Sequence, residues 1–278
     1  MRRHRLTAFG GAQCEILVVG CSHADLSAAV AEVYAFETRL TRFDPRSELS
    51  LLNAAAGARV AVTPLLEELL RTALEAHALS DGMVNAAVLP ALVAAGYDRT
   101  IAEVRRRPAL PATCAPVPVP PLDEVLEVGE GWARLRPGAA VDLGGVGKGW
   151  LADRLAERLE NAVVNLGGDL RALGAGPDGA GWTAGLCDGS AVRVIDAGIA
   201  TSGRAGRRWA GGHHLVDPLT GRPAPGGPQA VTVVAATALH AEVLAKLVAL
   251  RGLAEGVPLA LARGAERVRS ASLEEPAA

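Results

Sequence analysis

The chain has 278 residues, half of them apolar, so it can bury a sizeable core in one large domain or two small ones. Its 28 basic and 30 acidic residues leave a formal charge of −2. With the basic residues scattered, that balance argues against a nucleic-acid footprint or a membrane-attracting surface and favours a small or neutral partner.

In chain order, the basic start from Met1 to Arg5 runs into Gly10-Gly11, Gln13 and Glu15 and not into the apolar core of a signal peptide. Nor does any apolar run approach the roughly 20 residues of a membrane span, so a cytoplasmic protein with no membrane span is expected. Residues 13–20, centred on Ile16 to Val19, read as a strand, and 24–41 carry apolar residues at helical spacing. A turn follows at Asp44-Pro45. Residues 62–79 form a second amphipathic helix, with Thr63 and Pro64 as N-cap and first-turn residue.

Six prolines between 108 and 121 exclude helix and central strand and predict an extended connector. Beyond it, strands are expected at 124–128 and 132–136, then a glycine loop, a helix over 149–160, and strands at 161–166, 170–174, 182–187 and 191–196. A β-branched strand over 229–236 and a helix over 237–251 complete the pattern, and 271–278 has the composition of a disordered tail. Hairpin-like strands in runs with helices between them favour an α+β fold. Cys14, Cys21, Cys114 and Cys187 form no C-x-x-C pair and no zinc-spaced cluster, and read as reduced structural thiols.

The run Val141-Asp142-Leu143-Gly144-Gly145-Val146-Gly147-Lys148-Gly149 carries the most chemistry. Its glycines let backbone N–H groups approach a ligand, and its lysine precedes a segment of helical period, an arrangement that suits phosphate at a helix start. It is neither a Walker A loop nor a G-x-G-x-x-G turn, and by itself it can equally be a tight strand-to-helix turn. Three other segments share its character: Phe43 to Asn53, Asn165-Leu166-Gly167-Gly168-Asp169, and Thr201-Ser202-Gly203 leading to His213-His214-Leu215-Val216-Asp217-Pro218-Leu219-Thr220-Gly221.

In this order and spacing the segments resemble the ApbE family of FAD:protein FMN transferases, over residues 10–252. The family's usual forms are close to D-L-G-G-[IV]-A-K-G, V-N-L-G-G-D, T-S-G and H-H-I-I-D-P-x-T-G. The resemblance implies an α+β fold of the T-fold type with a mainly antiparallel sheet, as one domain over 1–270. It implies FAD as donor, a divalent metal taken to be magnesium, and transfer of FMN to a Thr or Ser of an acceptor flavoprotein with release of AMP. Such a reaction must neutralise phosphate charge and accept one proton.

By the same resemblance, Asp142 and Lys148 contact FAD and the Gly145 carbonyl points at the metal. Phe43 takes the place of a Tyr that stacks on a ring of FAD; it reads equally as a core residue beside a turn. Relatives show F-D-P near the position of Val84-Asn85-Ala86, so Met83, Val84 and Asn85 are expected to line the pocket, as is Leu215. His214 is the general-base candidate, against a reading in which it anchors a turn onto Asp217.

Two departures stand out. Where relatives read A-D-A-L-A-T, with the Asp and Thr both reaching the metal, this chain has Ala241-Glu242-Val243-Leu244-Ala245-Lys246. Glu242 keeps a hard oxygen donor and is the expected metal carboxylate. A protonated Lys246 cannot ligate magnesium. Either it supplies part of the metal's charge at the pyrophosphate, or the protein binds FAD without transfer; a FAD pyrophosphatase is a further alternative, and an i,i+4 Glu–Lys pair on a solvated face is the plain structural reading. The second departure is at the start, where Phe9-Gly10-Gly11-Ala12 replaces the Met-Gly-Thr of relatives and no lipobox cysteine follows a signal, which again points to the cytoplasm.

Overall fold

The computed structural model describes residues 1–107 and 115–271. Seven strands form one sheet in the order Arg2–Ala8, Ala12–Val18, Ala162–Leu166, Asp169–Leu173, Ala197–Ser202, Ala230–Ala235 and Arg267–Ala271. Every neighbouring pair is antiparallel, so the architecture is α+β. Spatial order follows chain order, and the segment 19–161 is inserted between the second and third strands.

That insertion carries the helices His23–Leu40 and Pro64–Leu79, a small sheet of Val60–Ala61, Trp132–Leu135 and Leu126–Gly129, and the helix Gly147–Leu159 that returns the chain to the large sheet. Local chemistry sets its boundaries. Ser22 and Asp25 close a capping box at the first helix, and Thr63 caps the second with Pro64 in its first turn. One face of the large sheet is covered by Gly147–Leu159 and Ala238–Arg251, which also pack on each other. On the other face lies the hairpin Trp182–Gly185/Ala191–Val194, whose Trp182 is buried with Val163, Ala172, Ile199 and Val234.

The strands predicted at 13–20, 161–166, 170–174 and 229–236 are present within one or two residues, as are the helices over 24–41, 62–79, 149–160 and 237–251. A four-residue helix at Leu122–Val125 occupies the start of the strand expected at 124–128. Several elements had no sequence expectation. Strand Arg2–Ala8 sits at the sheet's edge, where three arginines are tolerated because one side of the ladder meets water. Ala197–Ser202 is a buried inner strand of mostly small residues, and the helix Leu253–Ala262 and strand Arg267–Ala271 close the chain. The expected connector is irregular over 115–121; residues 108–114 lie outside the described residues, as do Cys114 and 272–278 of the expected tail. Cys14, Cys21 and Cys187 are free thiols. No described helix is long and apolar enough to cross a membrane.

Candidate functional site

A cavity of about 430 Å³ opens where the glycine run, the Gly167-Gly168 turn, the segment 201–207 and the segment 214–216 meet. Asp142, Gly145, Lys148, Met83, Val84, Asn85, His214 and Leu215 all line it. Phe43 lines instead an adjoining cavity of about 190 Å³, which shares Asp142, Gly144, Lys148, Tyr97 and Arg207 with the larger one. The sequence-predicted residues thus converge, except that Glu242 stands behind Lys148 and Lys246.

Two backbone features set the geometry. Gly167 and Gly168, with φ of 68° and 102°, form a two-residue hairpin loop of the primed kind, which holds Asp169 at the start of its strand facing Lys148. At Gly149 the helix Gly147–Leu159 crosses Ala238–Arg251 so closely that a Cβ would stand 2.7 Å from the Leu239 Cα. Asp153 then accepts the N–H groups of Ala238 and Leu239 at 2.8 and 2.9 Å, so one helix caps the other. The first turn of Gly147–Leu159 lines the cavity and has no side-chain cap.

At that crossing four buried ionic side chains meet. The Lys148 ammonium donates to Asp169 and, at 2.8 Å, to Glu242 Oε1. Lys246 Nζ donates to the same Glu242 oxygen at 2.9 Å, and the Gly149 N–H donates to Glu242 Oε2 at 2.9 Å. Burial opposes the charge on Lys148, but Asp169 and Glu242 outweigh it and hold the ammonium well above the ordinary lysine range. Burial likewise opposes ionisation of Glu242, and Lys148 and Lys246 overcome it, holding that carboxyl well below its usual range. Asp169 goes the other way: burial, then the Glu242 charge, push it up.

The opposite wall is made of loops whose polar groups are turned on the protein itself. Asp142 pairs with Arg42 Nε at 2.6 Å and accepts the Gly144 N–H at 2.7 Å, which fixes the glycine turn. Asn53 clamps the entry to that turn, exchanging hydrogen bonds of 2.9 and 2.8 Å with the Val141 backbone. The Arg42 guanidinium lies over the Phe43 and Tyr97 rings, and Tyr97 stacks on Trp209. Phe43 is therefore part of an aromatic wall that Arg42 covers on one side. Asn85 donates to the Pro120 carbonyl and accepts the Ala87 N–H, both at 2.9 Å, so its amide holds the chain in shape; Met83 and Val84 offer apolar surface.

The two histidines divide the roles weighed for them. His213 is the anchor: its Nε2 bonds the Ala224 carbonyl at 3.0 Å, and its Nδ1 accepts the Leu215 N–H. Asp217 is satisfied within its own turn by Leu219 and Thr220, with no part for His214. His214 lines the cavity with Nδ1 buried and without a hydrogen-bond partner. Burial, reinforced by Arg207 and Lys246, pushes its imidazole down to about 3, so it is neutral at physiological pH.

At the expected metal position, the surroundings of Gly145 and Glu242 do not favour a dication. A Cβ at Gly145 would lie 3.7 Å from Lys246 Cε, so the lysine's end reaches the Gly145 turn on one side and Glu242 on the other. Both Glu242 oxygens already accept from ammonium or backbone donors, and no group of three metal-binding side chains occurs among the described residues. A dication here would face an ammonium, a repulsion of about 8 kcal/mol if the charges lie ~4 Å apart at an effective dielectric near 20. The donor set does not fit magnesium.

Asp169, Arg207, Tyr97 and Arg42 belong to the site without having been singled out from the sequence. Asp169 closes a motif that was read, yet its ion pair with Lys148 was not. Arg207, which lines both cavities, sits in Arg204-Ala205-Gly206-Arg207-Arg208, where nothing periodic distinguishes it from its neighbours.

The sequence model of the ApbE family matches residues 11–268. The chain is 31% identical over 141 residues to the FAD:protein FMN transferase of Klebsiella pneumoniae (strain 342), covering 44% of this chain and 42% of that one. It spans about two fifths of the length of the first curated relatives it matches. Among solved structures, the ApbE protein of Thermotoga maritima superposes with a TM-score of 0.79 at 22% identity, covering 97% of this chain and 94% of that one. The apo flavinyl transferase ApbE of Pseudomonas stutzeri gives 0.76 at 20% identity, with 93% and 87% covered. At these identities the superpositions establish the fold.

Proposed function

Since this chain belongs to the ApbE family, we propose that it is a FAD:protein FMN transferase, moving FMN from FAD to a Thr or Ser hydroxyl of an acceptor flavoprotein. The observation that carries the reading is the meeting of Lys148, Arg207 and His214, from three separate segments, on one cavity at the start of a helix. Lys148 and Arg207 give positive charge to a diphosphate. Residues 1–270 act as one unit in this reading, because the walls draw on segments from 73 to 250.

In the transfer, the acceptor oxygen forms a bond to the FMN phosphorus, the bond from that phosphorus to the bridging oxygen breaks, and AMP leaves with that oxygen. The hydroxyl proton goes to the His214 imidazole. In the free protein that ring is a weak base because it is buried and, in addition, because Arg207 and Lys246 face it. A bound diphosphate offsets those charges and raises its proton affinity, so the base is strengthened when substrate is present. Phe43 and Tyr97 supply flat apolar surface beside the diphosphate position for a ring of the dinucleotide. Magnesium has no step in this account, since its expected position is the one that Lys246 reaches.

Incubating the protein with FAD and a Thr-bearing acceptor segment and following AMP by chromatography tests the proposal. AMP release that requires the acceptor supports transfer. AMP released equally without it would show hydrolysis by water and overturn the assignment.

A further inference from the structure

We propose that Lys246 is a tethered cation that takes the place of a divalent ion, so that the cavity holds the dinucleotide's diphosphate with no metal between Gly145 and Glu242. The inference rests on the dinucleotide reading above and deepens it. Lys246 lines the cavity, and its ammonium is fixed by Glu242 Oε1 at 2.9 Å, with Lys148 on the same oxygen at 2.8 Å. Its Cε lies by the Gly145 turn, 3.7 Å from where a Cβ would stand there.

The side chain therefore spans the two positions a bound cation would bridge, carrying its own charge on a stem packed beside the Gly145 turn and Val84. Geometry separates this from a surface Glu–Lys pair. Glu242 is 1% exposed and Lys246 16%, so the pair is enclosed and its accessible edge is the cavity. Three donors already satisfy Glu242, and with Asp169 the two carboxylates and two ammoniums balance, which leaves no surplus negative charge to draw in a dication, whereas Arg207 adds positive charge on the same cavity for a dianion. Lys246 is a binding residue in this account; the proton transfer is left to His214.

The test uses the full chain, freed of metal with EDTA and desalted, with two independent readouts. The first is Mn²⁺ alone, followed by loss of its free-ion paramagnetic resonance signal: wild type is expected to show no stoichiometric site, and Lys246→Thr to gain one. The second is FAD affinity from flavin fluorescence. Wild type is expected to change by less than about threefold between EDTA and magnesium, whereas Lys246→Met weakens by about tenfold or more in EDTA through loss of a charge-assisted contact. Lys246→Arg, which keeps the charge, retains EDTA-resistant binding. A stoichiometric Mn²⁺ site in the wild type would overturn the role of Lys246 and leave the dinucleotide reading standing. Failure of FAD to bind in either buffer would overturn the dinucleotide reading, and this inference with it.

Discussion

On the helix side of the cavity, Lys148, Asp169, Glu242 and Lys246 neutralise one another at the crossing of two helices; on the loop side, Asp142, Asn85 and His213 turn their polar atoms onto arginine or backbone. The two walls fail differently. Removing one charge from the helix wall strands another in a buried place, which costs far more than the pair contributes. Removing a polar group from the loop wall releases a backbone donor or acceptor, a smaller loss that reshapes the cavity more than it unfolds the protein. His214 fits neither pattern, because it lines the same cavity with an unpartnered nitrogen. That nitrogen and its place on the cavity are what make His214 the proposed base.

The contrast is most exposed to Glu242→Gln. Lys246 would then face a neutral amide while Lys148 keeps only Asp169, and urea denaturation is expected to show a loss of about 3–5 kcal/mol; a loss under about 1 kcal/mol would mean that the quartet is not held as described. Gly149→Ala probes the same wall without touching charge. Its methyl must push the Leu239 backbone away, and a loss of about 1–3 kcal/mol is expected, read as a lower melting temperature. On the loop wall, Asn85→Ala frees the Pro120 carbonyl and the Ala87 N–H, and about 1–2 kcal/mol should be lost along with a weaker grip on FAD. Equal losses in Glu242→Gln and Asn85→Ala would erase the distinction.

A further effect is on pH dependence. His214 is depressed in the fold, from 6.5 to about 3, so between these values the unfolded chain binds a proton that the folded chain does not. Stability carried by the neutral imidazole is therefore full above about pH 6.5 and is lost as the pH falls toward 3. Denaturation midpoints from pH 7 to 4 should fall more steeply for wild type than for His214→Gln. Parallel curves would show that the ring titrates freely.

Much of this was readable in the residues because the determinants are local. Thr63-Pro64 marks its helix by capping chemistry, and the β-branched run near 230–235 marks its strand. The site's segments were readable as motifs, since glycine turns place polar groups at fixed offsets. What lay hidden was pairing across the chain: Arg42 with Asp142, and Lys148 with Asp169 and Glu242, are matches that only the tertiary fold specifies. Lys246 was recognised as a departure, yet its reach to the Gly145 turn depends on how helix Ala238–Arg251 lies against the glycine loop. His213 and His214 are neighbours of the same type, and the bend that follows the strand Gly212–His213 sends them to different surroundings, one to the Ala224 carbonyl and one to the cavity.

The intact mass of a Thr-bearing acceptor segment after incubation with FAD tests the account most directly, with wild type and His214→Gln compared side by side. Wild type is predicted to add one FMN to the acceptor, and the variant to do so about 10²–10⁴-fold more slowly while still binding FAD. An acceptor unchanged in mass by the wild-type protein, or flavinylated equally fast by both, would contradict it.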